Sequence, residues 1–190
     1  MKNKIVILSL VILSTTAFAK TNIDTAKQAI KHRDIKTLNE LLDSNSIGPN
    51  DLAKNNVSLL SYTLLQSYHS AIVPWQADQN PDDVDSVVTT LLQHGANPNQ
   101  LSLSKDFLSH SRTWETPLFT AMAMNRPGAM MTLIADSRTD VNQVICSEDR
   151  HGNKKAIGTI IQFIAPEAEV AKALQARGAV PYDPATMKCE

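Results

Sequence analysis

Cysteine, histidine and carboxylate side chains are where chemistry would have to start in this 190-residue chain. Cys146 and Cys189 are its two thiols. They can pair as one disulfide or stand apart, with Cys189 in a frayed tail, and neither has the C-x-x-C spacing of a zinc site. His110, flanked by Ser109 and Ser111, would need a distant aspartate to form a hydrolytic site, and such residue types occur in most chains of this length. There is no G-x-S-x-G elbow, H-E-x-x-H pair or Gly-rich phosphate loop. Asp78, Asn80 and Asp82 open like a calcium loop, but its sixth position is Asp83 where glycine is needed and its twelfth is Thr89 in place of glutamate. Helix capping accounts for those carboxylates better. His32 and His94 fall at helix ends and read as turn-packing side chains, not ligands. We therefore expect no catalytic, cofactor-binding or metal-binding residue, and a chain that is not an enzyme.

The elements that must position any site begin after residue 19. Met1–Lys4 is a short basic head, Ile5 to Leu13 is almost wholly apolar, and Ala17-Phe18-Ala19 is a small-x-small cleavage site. This is the pattern of a secretory signal peptide (1–19), with a mature N-terminus at Lys20. The apolar run is much shorter than the roughly 20 residues that span a bilayer, so no membrane span is expected after cleavage. The mature domain, 20–190, is then periplasmic or secreted, a setting in which Cys146 and Cys189 are permitted to pair. Removing Lys2 and Lys4 from the chain's 18 basic residues leaves 16 against 19 acidic, a net of -3. So weak an acidic balance gives no support to nucleic-acid binding. Hydrophobic residues make up 43% of the chain, enough for one core.

Asp85 to Asn99 is the most regular stretch. Val87, Val88, Leu91 and Leu92 gather on one helical stripe, Gly95 supplies a left-handed helix end, and Ala96-Asn97-Pro98-Asn99 turns the chain back. Thr116-Pro117-Leu118 followed by Ala121 opens a second helix. Together these resemble the ankyrin-repeat family, which repeats such a helix pair about every 33 residues from a Thr-Pro-Leu opening. Divergent units fall at about 22–54, 55–99, 114–142 and 150–182. The first has Ala26, Ala29 and Ile30 facing Ile35, Leu38, Leu41 and Leu42 across a His32-Arg33-Asp34 turn, and its polar outer residues suit a cap. The second opens at Ser58 and carries an insertion at 70–85, about 16 residues beyond the family's spacing. A second insertion separates Asn99 from Thr116. The third unit lacks the glycine-alanine turn and has Ser137-Arg138 there; the fourth begins with Ile157-Gly158-Thr159 where Thr-Pro-Leu would stand.

The resemblance implies an all-α, ankyrin-like solenoid of three to four helix-turn-helix repeats with two loop insertions, its core continuous through Val87, Leu91, Leu118, Ala121, Leu133 and Leu174. It also implies a non-enzymatic scaffold that binds another protein through hairpin tips and the inner-helix surface. The insertions carry Trp75, Trp114 and Phe107 with His110, and Tyr68 stands at the edge of the first. Tryptophan and tyrosine are enriched among residues that dominate binding energy, so these five are the candidate partner-binding residues. The competing reading folds the rings back over the inner helices. An immunity or inhibitor protein that neutralises a toxic enzyme in the same compartment is the sharper expectation. The alternative is a structural or stress-related envelope component that supports an exported enzyme.

Overall fold

The computed structural model describes residues 22–53, 56–66, 82–105 and 112–189. The signal peptide, Tyr68, Trp75, Phe107 and His110 lie outside the described residues.

The chain runs through α1 (22–32), α2 (Ile35–Asp43), α3 (Leu59–Leu65), α4 (Asp82–Gln93), β1 (Ser102–Lys105), β2 (Arg112–Glu115), α5 (Pro117–Ala123), α6 (Pro127–Ala135), β3 (Ile145–Glu148), β4 (Lys154–Gly158), a 3-10 turn (Ile160–Phe163) and α7 (Glu169–Ala176). Local chemistry fixes the helix starts. Asp34 accepts hydrogen bonds from the Thr37 amide and hydroxyl at the head of α2, Ser58 accepts from the Ser61 amide, and Thr116 accepts from the Phe119 amide just ahead of Pro117. At the fourth unit Thr159 takes this capping place, two residues later than the expected opening, with its amide donating to Gln162 Oε1 at 3.0 Å. The tight turns inside the first and third pairs put Arg33 and Asn125 at φ +56° and +51°.

Helices α2, α4, α6 and α7 pack side by side in one layer, with α3 and α5 adjacent in a second. Within pairs, α3 lies on α4, α5 on α6 and the 3-10 turn on α7. The expected stripes meet between the layers, where Val87, Leu91, Leu118, Ala121, Leu133 and Leu174 are each at most 2% exposed.

An all-α fold is nevertheless wrong. β1 to β4 form a four-stranded antiparallel sheet in that order. Each strand pair occupies a connection that the helical reading treated as a loop or as the front of a repeat. β1 and β2 precede the Thr116 cap, and β3 and β4 precede the Thr159 cap. Paired strands satisfy the amides and carbonyls of these long connections, which a loop would leave to water. β2 then pairs with β3 across the α5–α6 hairpin, joining two ribbons into one sheet.

The closing turns are tied to each other by asparagines. The Asn50 side chain accepts from the Asn97 amide at 2.6 Å and donates to the Gly95 carbonyl. Asn99 does the same to Asp140 and Arg138, and Asn142 to Val180 and Gly178. Each amide group thus reads the next turn as a strand would, so the turns stack in register. Gly95 and Gly178, at φ +90° and +79°, end α4 and α7 in the left-handed conformation that side chains resist.

His94 adds a further link. Its Nδ1–H donates to the Thr90 carbonyl at 2.9 Å, which leaves Nε2 facing Asp43 Oδ1 at 3.0 Å. A second proton on the ring turns that contact into an ion pair. The His94 pKa accordingly lies above its ordinary 6.5, through the Thr90 carbonyl first and Asp43 next. Because the folded pKa is raised, the stabilisation is full below the unfolded value and is lost as pH rises through the folded one. Thermal melts should show the wild type losing stability relative to His94→Gln as the pH rises above about 6.5. Parallel melting curves for the two proteins would show that His94 does not link α2 to α4.

Candidate functional site

Strand alternation sets out two rows on one face of the sheet. Leu103 pairs with Trp114, Trp114 with Cys146 and Cys146 with Ala156, so an apolar row crosses all four strands. Two residues along, Arg112 pairs with Glu148 and Glu148 with Lys154. The rows are cross-linked: the half-buried Trp114 donates its Nε1–H to Glu148 Oε2 at 3.1 Å, Lys154 Nζ lies 5.9 Å from the centre of its ring, and Arg112 Nη1 is 3.8 Å from Glu148 Oε1. Such contacts hold the indole in one rotamer, so its free surface is presented already ordered.

Beside this ring opens a cavity of about 400 Å³. Trp114, Cys146 and Lys154 give it a floor, and the Asp140–Val144 turn with Leu101 forms one side. Thr186, Met187 and Lys188 of the C-terminal segment form another. That segment is tied down by a disulfide between Cys146 and Cys189, with Cα atoms 5.9 Å apart. The Gln143 amide oxygen is buried in the wall and has no hydrogen-bond partner among the described residues. Apolar surface with a few convergent polar groups, in a volume within the usual range for ligand sites, is what binding sites share.

Of the five candidate binding residues, Trp114 stands on this face; Trp75, Tyr68, Phe107 and His110 fall outside the described residues. Trp114 packs on the sheet and lines the cavity, and no contact places its ring over the inner helices among the described residues. The cysteines pair as one disulfide. Sequence reading missed Glu148, Lys154 and Met187 as neighbours of Trp114. The signal available was the alternation of Ile145-Cys-Ser-Glu148 and Lys154-Lys-Ala-Ile157, which puts one charge and one small or apolar residue on the same face. Among the described residues, no helix is long and apolar enough to cross a membrane. No family model matches the chain, and no match is found among curated proteins.

Proposed function

We propose that the mature chain is exported to the periplasm or beyond and serves there as a non-enzymatic, protein-binding scaffold related to ankyrin repeats. Its partner surface is the sheet face around Trp114. The observation that carries this reading is the cavity itself: an ordered indole, a thioether and aliphatic side chains meet two lysines, an aspartate and the unpartnered Gln143 oxygen. A protruding partner side chain can bury apolar area there and meet the charges of Lys154, Lys188 and Asp140 around it, the combination found at interface hot spots. The Cys146–Cys189 disulfide supports an oxidising compartment. Relation to the ankyrin family is supported by the stacked helix pairs, the Ser58 and Thr116 caps and the asparagine-linked turns. In its sharper form the scaffold is an immunity protein, and its partner an enzyme toxic to the same compartment.

The test is capture of binding proteins from an extracytoplasmic extract with the wild type and with Trp114→Ala. Trp114→Ala should weaken the selected partner by about 2 kcal/mol, roughly 30-fold, after correction for folded fraction. The immunity form further expects the captured protein to lose enzymatic activity when bound. Equal affinity of both proteins once corrected would place the partner surface elsewhere.

A further inference from the structure

We propose that residues 183–189 are a redox-releasable wall of the Trp114 cavity, a lid held beside the indole by the Cys146–Cys189 disulfide and let go by a dithiol reductant. The inference rests on the cavity being the partner site. Thr186, Met187 and Lys188 form one wall of it, so whatever holds this segment also sets access to the indole. Within 183–189 the turn closes on Asp183. Asp183 accepts from the amides of Ala185, Thr186 and Met187 and from the Thr186 hydroxyl. The chain just before is anchored independently: the Val180 amide and carbonyl bond to Asn142 and Thr159, and the Tyr182 amide donates to Gln162 Oε1 at 3.0 Å. The segment is therefore a compact turn with a fixed near end, and its far end is clamped by a covalent bond. Breaking that bond frees the wall without undoing the last helix pair.

The two cysteines differ in exposure. Cys146 lies in the sheet at 6% exposure, whereas Cys189 is half-buried in the C-terminal segment. A reductant thiolate reaches Cys189 Sγ, forms a mixed disulfide with it and expels Cys146 as a thiolate, which takes up a proton. The second thiol of the reductant then attacks its own sulfur in the mixed disulfide and Cys189 leaves, also protonated. Two electrons pass to the protein, the dithiol becomes a disulfide, and the lid carries a free thiol.

The experiment uses the mature chain with Trp75→Phe, leaving Trp114 as its single indole. Acrylamide quenching of Trp114 is measured before and after complete reduction by dithiothreitol, with thiol titration and far-UV circular dichroism in parallel. Quenching should roughly double on reduction while the far-UV signal is kept, as expected for a local opening. Cys189→Ser and a chain ending at Asp183 should both show the raised value without reductant. Unchanged quenching in the fully reduced protein overturns the lid. So does loss of the far-UV signal on reduction, because the disulfide would then hold the fold and not the segment. The partner reading fails separately: if Trp114 opens on reduction but Trp114→Ala binds the captured partner normally, the lid stands and the site assignment falls.

Discussion

Replacing Arg177 with methionine is expected to lower stability by roughly 2–4 kcal/mol, because one guanidinium serves a whole helix end. The third unit lacks the glycine that ends α4 and α7, and Asp136 at its C-terminus is extended, at ψ 117°. The turn there is only partly closed by its own residues: the Leu133 carbonyl accepts from the Asp136 amide and the Thr139 hydroxyl, and the Asp136 carbonyl from the Thr139 amide, while the carbonyls of this end take further donors from outside. Arg177, in the turn after α7, supplies them. Its Nη1 donates to the carbonyls of Ile134 and Asp136, and its Nη2 to those of Ser137 and Thr139 at 3.3 and 3.1 Å. Arg138 completes the arrangement from the other side, with Nη2 donating to the Leu92 carbonyl at the end of α4 and to Asp136 Oδ2. The Asp136 carboxyl is held below the ordinary carboxylate range, chiefly by its bond to Arg138. Positive charge at these carbonyl ends also meets the negative pole of each helix. Methionine keeps most of the stem and removes every donor. Lysine keeps the charge but cannot fork to four oxygens, so Arg177→Lys should recover the smaller part of the loss. Urea midpoints measure both, and a loss under about 1 kcal/mol for Arg177→Met would mean that water replaces the guanidinium.

What could be read from the chain follows the range of the interactions involved. Val87, Val88, Leu91 and Leu92 recur within one helix, and Gly95 ends that helix next to them, so neighbours in sequence carry the information. The Thr116 cap and the His32–Asp34 turn are legible for the same reason. The strands are not. Arg-Thr-Trp-Glu places just two residues on each face, too short a pattern to declare a period, and the strand that completes it, β3, follows two intervening helices. Without that partner β1 and β2 read as an insertion, and β3 and β4 as the loop before the fourth unit and its opening, which leaves an all-α expectation. The fourth opening was misplaced because Ile157 and Gly158 belong to β4, leaving Thr159 as the cap. Ser137-Arg138 was visible as a departure from the repeat, but its remedy lies in Arg177, in the next unit. Trp114 was singled out for its type; its place beside Cys146, Lys154 and the C-terminal segment depends on strand pairing and a disulfide, both nonlocal.

Leu91→Ala is expected to cost roughly 2–5 kcal/mol, toward the upper part of that range. Leu91 is fully buried on α4, the helix that touches α2, α3 and α6 together. Its side chain fills the junction of two layers, and Val87, Val88 and Leu133 around it are equally inaccessible. Large neighbours locked from three directions cannot close in on a missing isobutyl group, so the cavity persists and its lost contacts add to the lost transfer energy. Leu101 gives the internal control: it is 39% exposed at the cavity, and Leu101→Ala should change stability by only about 0.5 kcal/mol. The two substitutions also separate scaffold from site. Leu91→Ala should lower the denaturation midpoint yet leave partner affinity intact per folded molecule, because its side chain is closed off from any partner. Leu101→Ala should do the reverse. A loss below about 1 kcal/mol for Leu91→Ala would mean that the helix layers are not packed through this residue.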